Sequence, residues 1–307
     1  MNRLAFLLFI GFASAFNSAH AESVLKTEQL AENIYALVGP ISSRDARNLG
    51  NNANFGVIVT NEGVVLIDSG ATYKGAQMIH DAVRAITREP IKLVINTGGQ
   101  DHRWLGNGYF KAIGARIVAN EKAVTDQKAR VQDQMIALGS QVGSDGLAGT
   151  EAVYADETFA EQKVLTVGDT RIEIYHAGHA HTPGDSFVWL PEGAIMFSGD
   201  IVYMDRMLGV GAQSAHRSWI DAFEAMAAKQ PGIVVGGHGS PADLAKASAD
   251  SYDYLVFLRA AVQAFMEEGR GMEEIGKIDQ SRFDYLENFD SLSGRNAQRV
   301  YEELEWE

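Results

Sequence analysis

The chain has 307 residues, 46% of them hydrophobic, and its 40 acidic against 26 basic residues give a formal net charge of −14 at pH 7. A surface this acidic argues against nucleic acid and anionic membranes as partners. There is no cysteine, which excludes disulfides, thiolate metal sites and cysteine nucleophiles. Any bound metal must therefore be held by histidine, carboxylate or neutral oxygen ligands.

The N-terminus has the pattern of a secretory signal. A positive start (MNR, 1–3) precedes a short apolar run, and AHA (19–21) has the small-x-small form of a cleavage site. The apolar run is too short for a comfortable membrane span. The sequence therefore predicts a signal peptide over 1–21, a mature chain that begins near Glu22, a periplasmic or secreted location, and no stable membrane anchoring.

The first half of the chain alternates strand-like and helix-like segments. Short apolar or β-branched runs bounded by turn residues predict strands, and apolar residues at helical spacing predict helices. The expected strands are NIYALVG (33–39), NANFGVIVT (52–60), GVVLIDSG (63–70), IKLVINT (91–97) and ARIVAN (115–120). The expected helices cover 73–87, a segment after the fourth strand, and 121–137.

The second half begins again with strands and ends in helices. The pattern predicts hairpins over 163–178 and 186–200, a helix over 216–228, a strand over 232–239, helices after 241, and irregular loops over 139–162 and 279–293. Two halves of strands followed by helices predict an α/β (α+β) fold of four layers, with two sheets face to face and helices outside. We expect one domain over 22–240 and a helical extension over 241–307 packed on it.

Histidine and aspartate residues recur at the ends of predicted strands, where a rigid scaffold presents functional groups. They are Asp68 after VVLI, Asp101 and His102 after LVINT, His181 in the loop GHAHTPGD, Asp200 after AIMFSG, and His238 after IVVGG. A single aspartate at such a place is usually a turn former. The repetition along the chain indicates a site assembled from several strand ends.

Five motifs follow one another along the chain: LIDSG, NT…DH…GN, AHTPGDS, FSGD and GGHG. In this order they resemble the metallo-β-lactamase fold family over residues 30–240, and AHTPGDSFVWLP…AIMFSGD is the most specific part of the match. Within the family the chain is most similar to an exported branch found beside quinoprotein and sulfur-oxidation systems. The resemblance implies the αββα sandwich and a metal-dependent hydrolase.

The resemblance also assigns roles to four residues. His181 matches the later histidine of the family's first zinc site. Asp200 matches the aspartate that bridges two zinc ions, and His238 matches the final histidine of the second site. Asp68 resembles an aspartate that lies behind the ligands, where a carboxylate fixes the orientation and tautomer of a ligand histidine.

The segment NTGGQDHRWLGN departs from the family motif T-H-x-H-x-D-H. In an alignment without gaps, Gly98 and Gln100 replace the first two histidines. His102 and Arg103 then replace the aspartate and the last histidine. A one-residue shift instead matches Asp101 and His102 to the family's Asp-His pair, but it requires a deletion before the pair and an insertion after it. The loop length favours the first alignment and the residue identities favour the second.

Both alignments keep His102, Asp200 and His238, and therefore predict one well-formed metal site. Two histidines, a carboxylate and an open position form a standard catalytic zinc arrangement, in which zinc lowers the pKa of bound water to about 7. We expect zinc, as one ion or alternatively two, while iron and manganese accept the same ligands. Asp101 is a candidate fourth ligand, and Asp101 or Asp200 is expected to handle the proton.

Three more residues near these motifs each have two interpretations. Gln100 offers an amide oxygen as a weak ligand or stays uncoordinated. His179 replaces a lost ligand of the first site or is a surface histidine. Arg103 holds a carboxylate or sulfonate of the substrate, since its planar fork matches such anions, or it neutralises Asp101 or Asp200 in place of a metal.

Two functions compete on this basis. The first is an exported metal-dependent hydrolase that uses an activated water on a small-molecule lactam, lactone, thioester or ester, including sulfate and phosphate esters. The second is a non-catalytic periplasmic binding or accessory protein that keeps the fold and has a redox system as its partner. The joint retention of His181, Asp200 and His238 favours the hydrolase.

Overall fold

The computed structural model describes residues 24–307, so the signal peptide predicted over 1–21 lies outside the described residues. Two β-sheets form the centre of this part of the chain. The first has seven strands in sequence order: β1 (Lys26–Ala31), β2 (Ile34–Val38), β3 (Phe55–Thr60), β4 (Gly63–Ile67), β5 (Ile91–Asn96), β6 (Arg116–Asn120) and β7 (Glu157–Phe159). The second has five strands in the order β12-β11-β10-β9-β8: β8 (Gln162–Val167), β9 (Thr170–Tyr175), β10 (Phe187–Leu190), β11 (Ile195–Tyr203) and β12 (Ile233–His238).

Helices cover the outer faces of both sheets. Their bounds are α1 (Tyr73–Ile86), α2 (Asp101–Trp104), α3 (Asn107–Ala112), α4 (Glu121–Leu147), α5 (His216–Ala227), α6 (Leu244–Ala247), α7 (Asp253–Glu267) and α8 (Phe289–Leu304). Within the described residues, no helix is both long enough and apolar enough to cross a membrane.

Three hydrophobic clusters define the layers. Between the sheets, side chains of the first sheet such as Ile58 and Ile95 pack against side chains of the second such as Ile174 and Val235. A second cluster joins the outer face of the first sheet to α1 and α3, and a third joins the second sheet to α5, α7 and α8. Each sheet thus buries both faces, one on the other sheet and one on helices. The predicted four-layer αββα sandwich is confirmed.

Parallel pairing brings the polar strand ends together. Strands β4 and β5 run parallel in the first sheet, and β11 and β12 run parallel in the second. Parallel strands end at the same edge of a sheet. Asp68, the segment after β5, Asp200 and His238 therefore come together at one edge of the sandwich.

Some element bounds differ from the sequence-based predictions. Strand β1 was not predicted, because KTEQLA is exposed or half-exposed and lacks an apolar run. The segment 139–162 was predicted to be irregular, yet α4 continues to Leu147 past a non-helical Gly143, and β7 lies within the same segment. The long helix predicted after 241 is interrupted by a π-helical turn over 248–252 between α6 and α7.

The C-terminal helices pack on the second sheet. Tyr254 and Leu258 of α7 and Val300 of α8 belong to the same buried cluster as Ile201 of β11. At the surface of that cluster, the Glu303 carboxylate accepts hydrogen bonds from two backbone N–H groups at the start of α5, at 2.8 and 3.1 Å. These contacts attach residues 241–307 to the core, while the domain boundary at 240 stays a prediction.

His216, at the start of α5, should make stability depend on pH. Its side chain is fully buried, and neither ring nitrogen has a hydrogen-bond partner in the described part of the chain. Burial lowers its pKa from 6.5 to about 4. A histidine with a depressed pKa contributes stability above pH 6.5 that is lost as the pH falls through 4. We expect His216→Leu to reduce this acid-side loss by up to about 3 kcal/mol, as measured by urea unfolding at pH 7 and pH 4. Equal losses in the wild type and the variant would contradict this.

Candidate metal centre

Three buried side chains converge at the edge of the sandwich. They are His102 from α2, Asp200 from β11 and His238 from the end of β12, and one ligand atom from each lies within 4.8 Å of the others. The carboxylate is central, with its Oδ2 3.2 Å from His102 Nε2 and its Oδ1 3.5 Å from His238 Nε2. Two imidazole nitrogens and a carboxylate oxygen at this spacing match a catalytic metal site.

In two histidine rings of this region, a hydrogen bond at Nδ1 leaves the Nε2 lone pair free to bind a metal or a proton. His238 Nδ1 lies 2.8 Å from the Asn52 carbonyl, and His181 Nδ1 lies 3.1 Å from the Gly209 carbonyl. A carbonyl only accepts, so each Nδ1 carries the hydrogen and each Nε2 keeps its lone pair. Burial lowers the pKa of His238 well below its usual value and that of His181 to about 4. Both rings are therefore neutral at pH 7, as a metal ligand must be.

The surroundings of His102 indicate whether the group fits a metal. His102 Nε2 is buried and has no hydrogen-bond partner within the described residues, although it faces Asp200. A buried nitrogen without a partner is costly in either ring tautomer, and a cation at the centre of the three side chains would satisfy it once the ring hydrogen lies on Nδ1. The donor set therefore fits a divalent metal such as zinc.

Arg103 lies next to the three-residue group and pairs with its carboxylate. Its guanidinium is 1% exposed and forms a two-point contact with Asp200, from Nη2 to Oδ1 at 2.6 Å and from Nε to Oδ2 at 3.1 Å. Its Nη1 donates to Asp68 Oδ2 at 2.9 Å. The carbonyls of Asn54 and Gly237 accept the remaining contacts, both at 3.1 Å. Every N–H direction is used within the protein, so Arg103 cannot hold a substrate anion.

Charge compensation explains how this ion cluster stays buried. Burial disfavours the charge on Arg103, but Asp200 and Asp68 outweigh it and raise the pKa of the guanidinium. Burial likewise opposes the charge on Asp200, but Arg103 holds the pKa of that carboxyl well below its usual value. For Asp68 burial prevails and raises the pKa, despite Arg103 and the hydrogen bonds from Thr97. Arg103 therefore neutralises the charge of Asp200, as in one of the two interpretations considered for it from the sequence.

Asp68 contacts Arg103 and Thr97 rather than a ligand histidine. Thr97 donates to it from its backbone N–H at 2.7 Å and from its hydroxyl. The resemblance implied that this aspartate orients a ligand ring. Here it fixes the arginine and the loop after β5, because the residue that the gapless alignment puts at the family's last histidine is Arg103.

Asp101 lies beside the three-residue group and not in it. Its Oδ1 is 3.2 Å from His102 Nδ1, across the ring from the Nε2 that faces Asp200, and its Oδ2 is 2.5 Å from Arg44 Nη1. Burial works against its charge, but Arg44 lowers its pKa. The carboxylate thus contacts His102 and Arg44, and its roles as a fourth ligand and as the proton acceptor stay predictions. His102 supplies a ligand atom to the group, as both alignments implied.

Gln100 and His179 have different positions relative to the group. Gln100 lines the adjoining pocket. Its Nε2 is 3.3 Å from Asp101 Oδ1, and its buried Oε1 has no partner among the described residues. His179 Nε2 contacts the Gln213 carbonyl at 2.6 Å, and the ring is not part of the pocket lining. The structure thus brings Gln100 to the site and leaves His179 at a loop.

A pocket of about 230 Å³ opens onto the metal position. Its lining comprises Ser43, Arg44, Asn52, Gln100, His102, Gln141, His181, Tyr203, Arg206, Met207, Gly209, His238 and Leu292. Tyr203 stacks on His238 with ring centroids 4.6 Å apart. His181 lies in this wall although it is outside the three-residue group.

Arg206 is one of two pocket arginines that the sequence reasoning missed, and Arg44 is the other. Its Nη1 donates to the Ile41 and Ser42 carbonyls at 2.9 and 3.1 Å, and its buried Nε has no hydrogen-bond partner in the part of the chain that the structure describes. Within the described residues it forms no ion pair with a carboxylate. Its position six residues after Asp200 was the available signal, because the end of β11 leads directly into the pocket wall.

The space left by the family's first histidine is filled. A Cβ added at Gly98 would lie 2.4 Å from Asp185 Oδ1 and 3.4 Å from Thr182 Oγ1. Asp185 is fixed there by hydrogen bonds from the Thr182 backbone N–H, at 2.7 Å, and from its hydroxyl. Asp185 therefore occupies the space that a side chain at position 98 would need.

A side chain at position 98 should destabilise the fold without restoring that site. We expect Gly98→Ala to lower the free energy of unfolding by about 1–3 kcal/mol, because the added methyl group overpacks a buried polar contact. Urea unfolding measures the loss. Gly114→Ala is a useful comparison for the steric effect, since an added Cβ there meets no atom within 4 Å, although its φ of +92° adds strain. A Gly98→Ala variant as stable as the wild type would show that the loop has room for the family's histidine.

Comparison with known proteins agrees with this geometry. The model of the family described as the metallo-beta-lactamase superfamily matches residues 49–238. The chain therefore belongs to the metallo-β-lactamase superfamily, whose members are metal-binding hydrolases. The match includes all three residues of the metal group.

Named relatives and structures include two kinds of hydrolase. The metallo-beta-lactamase type 2 of Elizabethkingia meningoseptica is 23% identical over 238 residues, which cover 76% of this chain and 86% of that protein. The structure of a metallo-beta-lactamase from Pontibacter korlensis matches 76% of this chain and 99% of its own, with a TM-score of 0.60 and 20% identity. The sec-alkylsulfatase Pisa1 from Pseudomonas sp. matches 91% of this chain and 50% of its own, with a TM-score of 0.70 and 18% identity. These structural similarities establish the fold.

Proposed function

We propose that this protein is an exported hydrolase with one metal ion, which His102, Asp200 and His238 hold, and that its substrates carry an anionic group next to the bond that is cleaved. The observation that carries the proposal is the buried group of two histidines and a carboxylate beside a pocket, with Arg103 locked into the second cation position. Zinc is the preferred ion, since the ligand set is two nitrogens and one oxygen.

A metal in this position supplies Lewis acidity and a water that is ionised near neutral pH. The protein residues have separable roles around it. His238 and His181 keep their lone pairs on Nε2 through their carbonyl partners. Arg103 fixes the Asp200 carboxylate in one orientation and lowers its basicity, so Asp200 acts as a ligand. His181, which lies in the pocket wall outside the ligand group, then presents a neutral Nε2 that can accept the proton.

Two positively charged arginines in the pocket wall favour a substrate that carries a negative charge. Arg44 and Arg206 both line the pocket, although the chain as a whole carries a net charge of −14. Arg206 has no carboxylate in ion-pair contact among residues 24–307, and a partly buried guanidinium in that state favours binding of a carboxylate, sulfate or phosphate. Sulfate esters, phosphate esters and lactams with an adjacent carboxylate satisfy this requirement, whereas neutral esters do not.

The alternative function, a non-catalytic binding protein, has one observation in its favour. Asp68 and Asp200 are paired with Arg103, and Asp101 is paired with Arg44. These buried carboxylates therefore have cationic partners even without a metal. The same anion-binding pocket would then capture a ligand without cleaving it.

Metal content is the first test of the hydrolase. We expect about one zinc ion per chain in the mature protein exported to the periplasm and purified without chelator, as measured by plasma emission spectrometry. About two ions would contradict the role of Arg103 as a replacement cation. No uptake after addition of zinc, iron or manganese would reject the hydrolase in favour of the binding protein.

A matched pair of chromogenic substrates tests the anion preference. p-Nitrophenyl sulfate and a cephalosporin with a free carboxylate should be better substrates than p-nitrophenyl acetate or the cephalosporin methyl ester. The Arg206→Met variant should lose this preference by raising KM for the anionic member of each pair. An unchanged ratio between the anionic and neutral substrates would remove the substrate class from the proposal but leave the metal centre intact.

A further inference from the structure

Arg44 forms a direct contact with one of the three ligand residues. It lies in the loop between β2 and β3, and its side chain is 14% exposed. Its Nη1 donates to Asp101 Oδ2 at 2.5 Å, its Nη2 contacts His102 Nδ1, and its Nε donates to Asn52 Oδ1 at 3.4 Å. The guanidinium thus reaches both the His102 ring and the carboxylate beside it.

The contact determines which nitrogen of His102 carries the hydrogen. A guanidinium has donors only, so Nδ1 must accept from Arg44, and the hydrogen of the neutral ring lies on Nε2. His238 and His181 have the opposite arrangement, because their Nδ1 atoms donate to carbonyls. Among these three histidines of the pocket, His102 alone is held with a hydrogen on the nitrogen that faces Asp200.

We infer that Arg44 is a latch on the metal centre: its hydrogen bond to His102 and the binding of a metal by His102 Nε2 exclude each other. The inference rests on the proposed metal centre. A ligand nitrogen needs its lone pair, so metal binding requires the hydrogen to move from Nε2 to Nδ1. An Nδ1–H cannot face an N–H of Arg44, and the Nη2 contact must break.

The structure already contains an acceptor for a hydrogen on His102 Nδ1 once the Arg44 Nη2 contact is broken. Asp101 Oδ1 lies 3.2 Å from His102 Nδ1 and can accept the relocated hydrogen, which gives the carboxylate–histidine–metal arrangement typical of metal sites. Asp101 Oδ2 can keep its contact with Arg44 Nη1 throughout. One hydrogen leaves Nε2 to solvent and one from solvent binds Nδ1, so the net charge of the ring does not change. Only the Nη2 end of Arg44 has to move, toward the pocket that it lines.

The Arg44→Lys substitution removes the contact with His102 but keeps the positive charge at position 44. In Arg44→Lys an ammonium replaces the fork, so the cation can still pair with Asp101 but has no second N–H arm aimed at His102. We expect the zinc Kd, measured by competition with a chromophoric chelator, to fall about tenfold, the equivalent of one charge-assisted hydrogen bond. Arg47→Lys is the matched control, because it alters an arginine of the same loop that pairs with Asp45 and is 88% exposed, and its zinc Kd should equal that of the wild type.

Nitrogen-15 NMR of the imidazole rings tests the latch independently of any variant. In the metal-free wild type we expect the His102 hydrogen on Nε2, and in the zinc-loaded protein we expect it on Nδ1. A metal-free His102 with its hydrogen on Nδ1 would overturn the inference, as would equal zinc affinities of the wild type and Arg44→Lys. If the wild type binds zinc with the same affinity as Arg44→Lys, the latch fails and the metal centre stands. If neither protein binds zinc, the metal centre and the latch fail together.

Discussion

Replacement of Arg103 by methionine is expected to lower the free energy of unfolding of the metal-free protein by about 3–5 kcal/mol, because it leaves buried carboxylates without their cation. Arg103 makes five contacts, and Asp68 and Asp200 are each at most 2% exposed. Methionine fills similar space but restores none of the five hydrogen bonds. Urea unfolding at pH 7 in the presence of chelator measures the loss.

A surface arginine provides the control for this variant. Arg116 pairs with Glu157 at 3.0 Å, and their side chains are 53% and 36% exposed. Exposed pairs contribute about 0–1 kcal/mol, so Arg116→Met should be nearly neutral. If the two variants lose the same amount of stability, Arg103 is not the central cation of a buried cluster.

The His238→Ala variant is expected to lose metal binding, with a zinc affinity lower by about 100-fold or more, because loss of even a supporting residue around a metal costs 10–100-fold. Hydrolysis of the best substrate from the screen should fall in parallel, since the activated water is lost. Equilibrium dialysis against buffered zinc measures the affinity, and circular dichroism confirms that the fold is retained.

His80 is the matched control for the loss of a histidine. It lies on α1, where its Nδ1 contacts the Tyr109 hydroxyl at 2.8 Å, and it is not part of the pocket lining. His80→Ala should therefore keep the zinc stoichiometry and affinity of the wild type. A His238→Ala protein that binds zinc as tightly as His80→Ala would exclude His238 as a ligand.

Local sequence patterns predicted most of the fold because buried strands and amphipathic helices carry their own periodicity. The continuous apolar runs of β4 and β5 correspond to strands buried throughout most of their length. Strand β1 was missed because its stability comes from pairing with β2 rather than from burial of its own side chains. The break between α6 and α7 was also missed, since Ser248 to Tyr252 keep helical composition through the π turn.

Prediction of the site from sequence was limited by contacts between distant segments. His102, Asp200 and His238 were predicted from strand-end position and family resemblance, and the structure brings them together. Arg44 is 57 residues from Asp101 and lies in a loop without any periodic pattern. Only the folded chain shows that it reaches the ligands. The two alignments of the segment at 96–107 differed by one residue, and the choice between them depended on which side chain points at Asp200.

The arginine at position 103 also has a consequence for how the protein responds to metal supply. In a centre with two exchangeable ions, removal of both leaves like charges facing one another inside the fold. In the centre proposed for this protein, the positive charge of Arg103 is part of the polypeptide and cannot dissociate. Starvation for metal should therefore switch off the chemistry while the folded protein persists, ready to be loaded again when the ion returns.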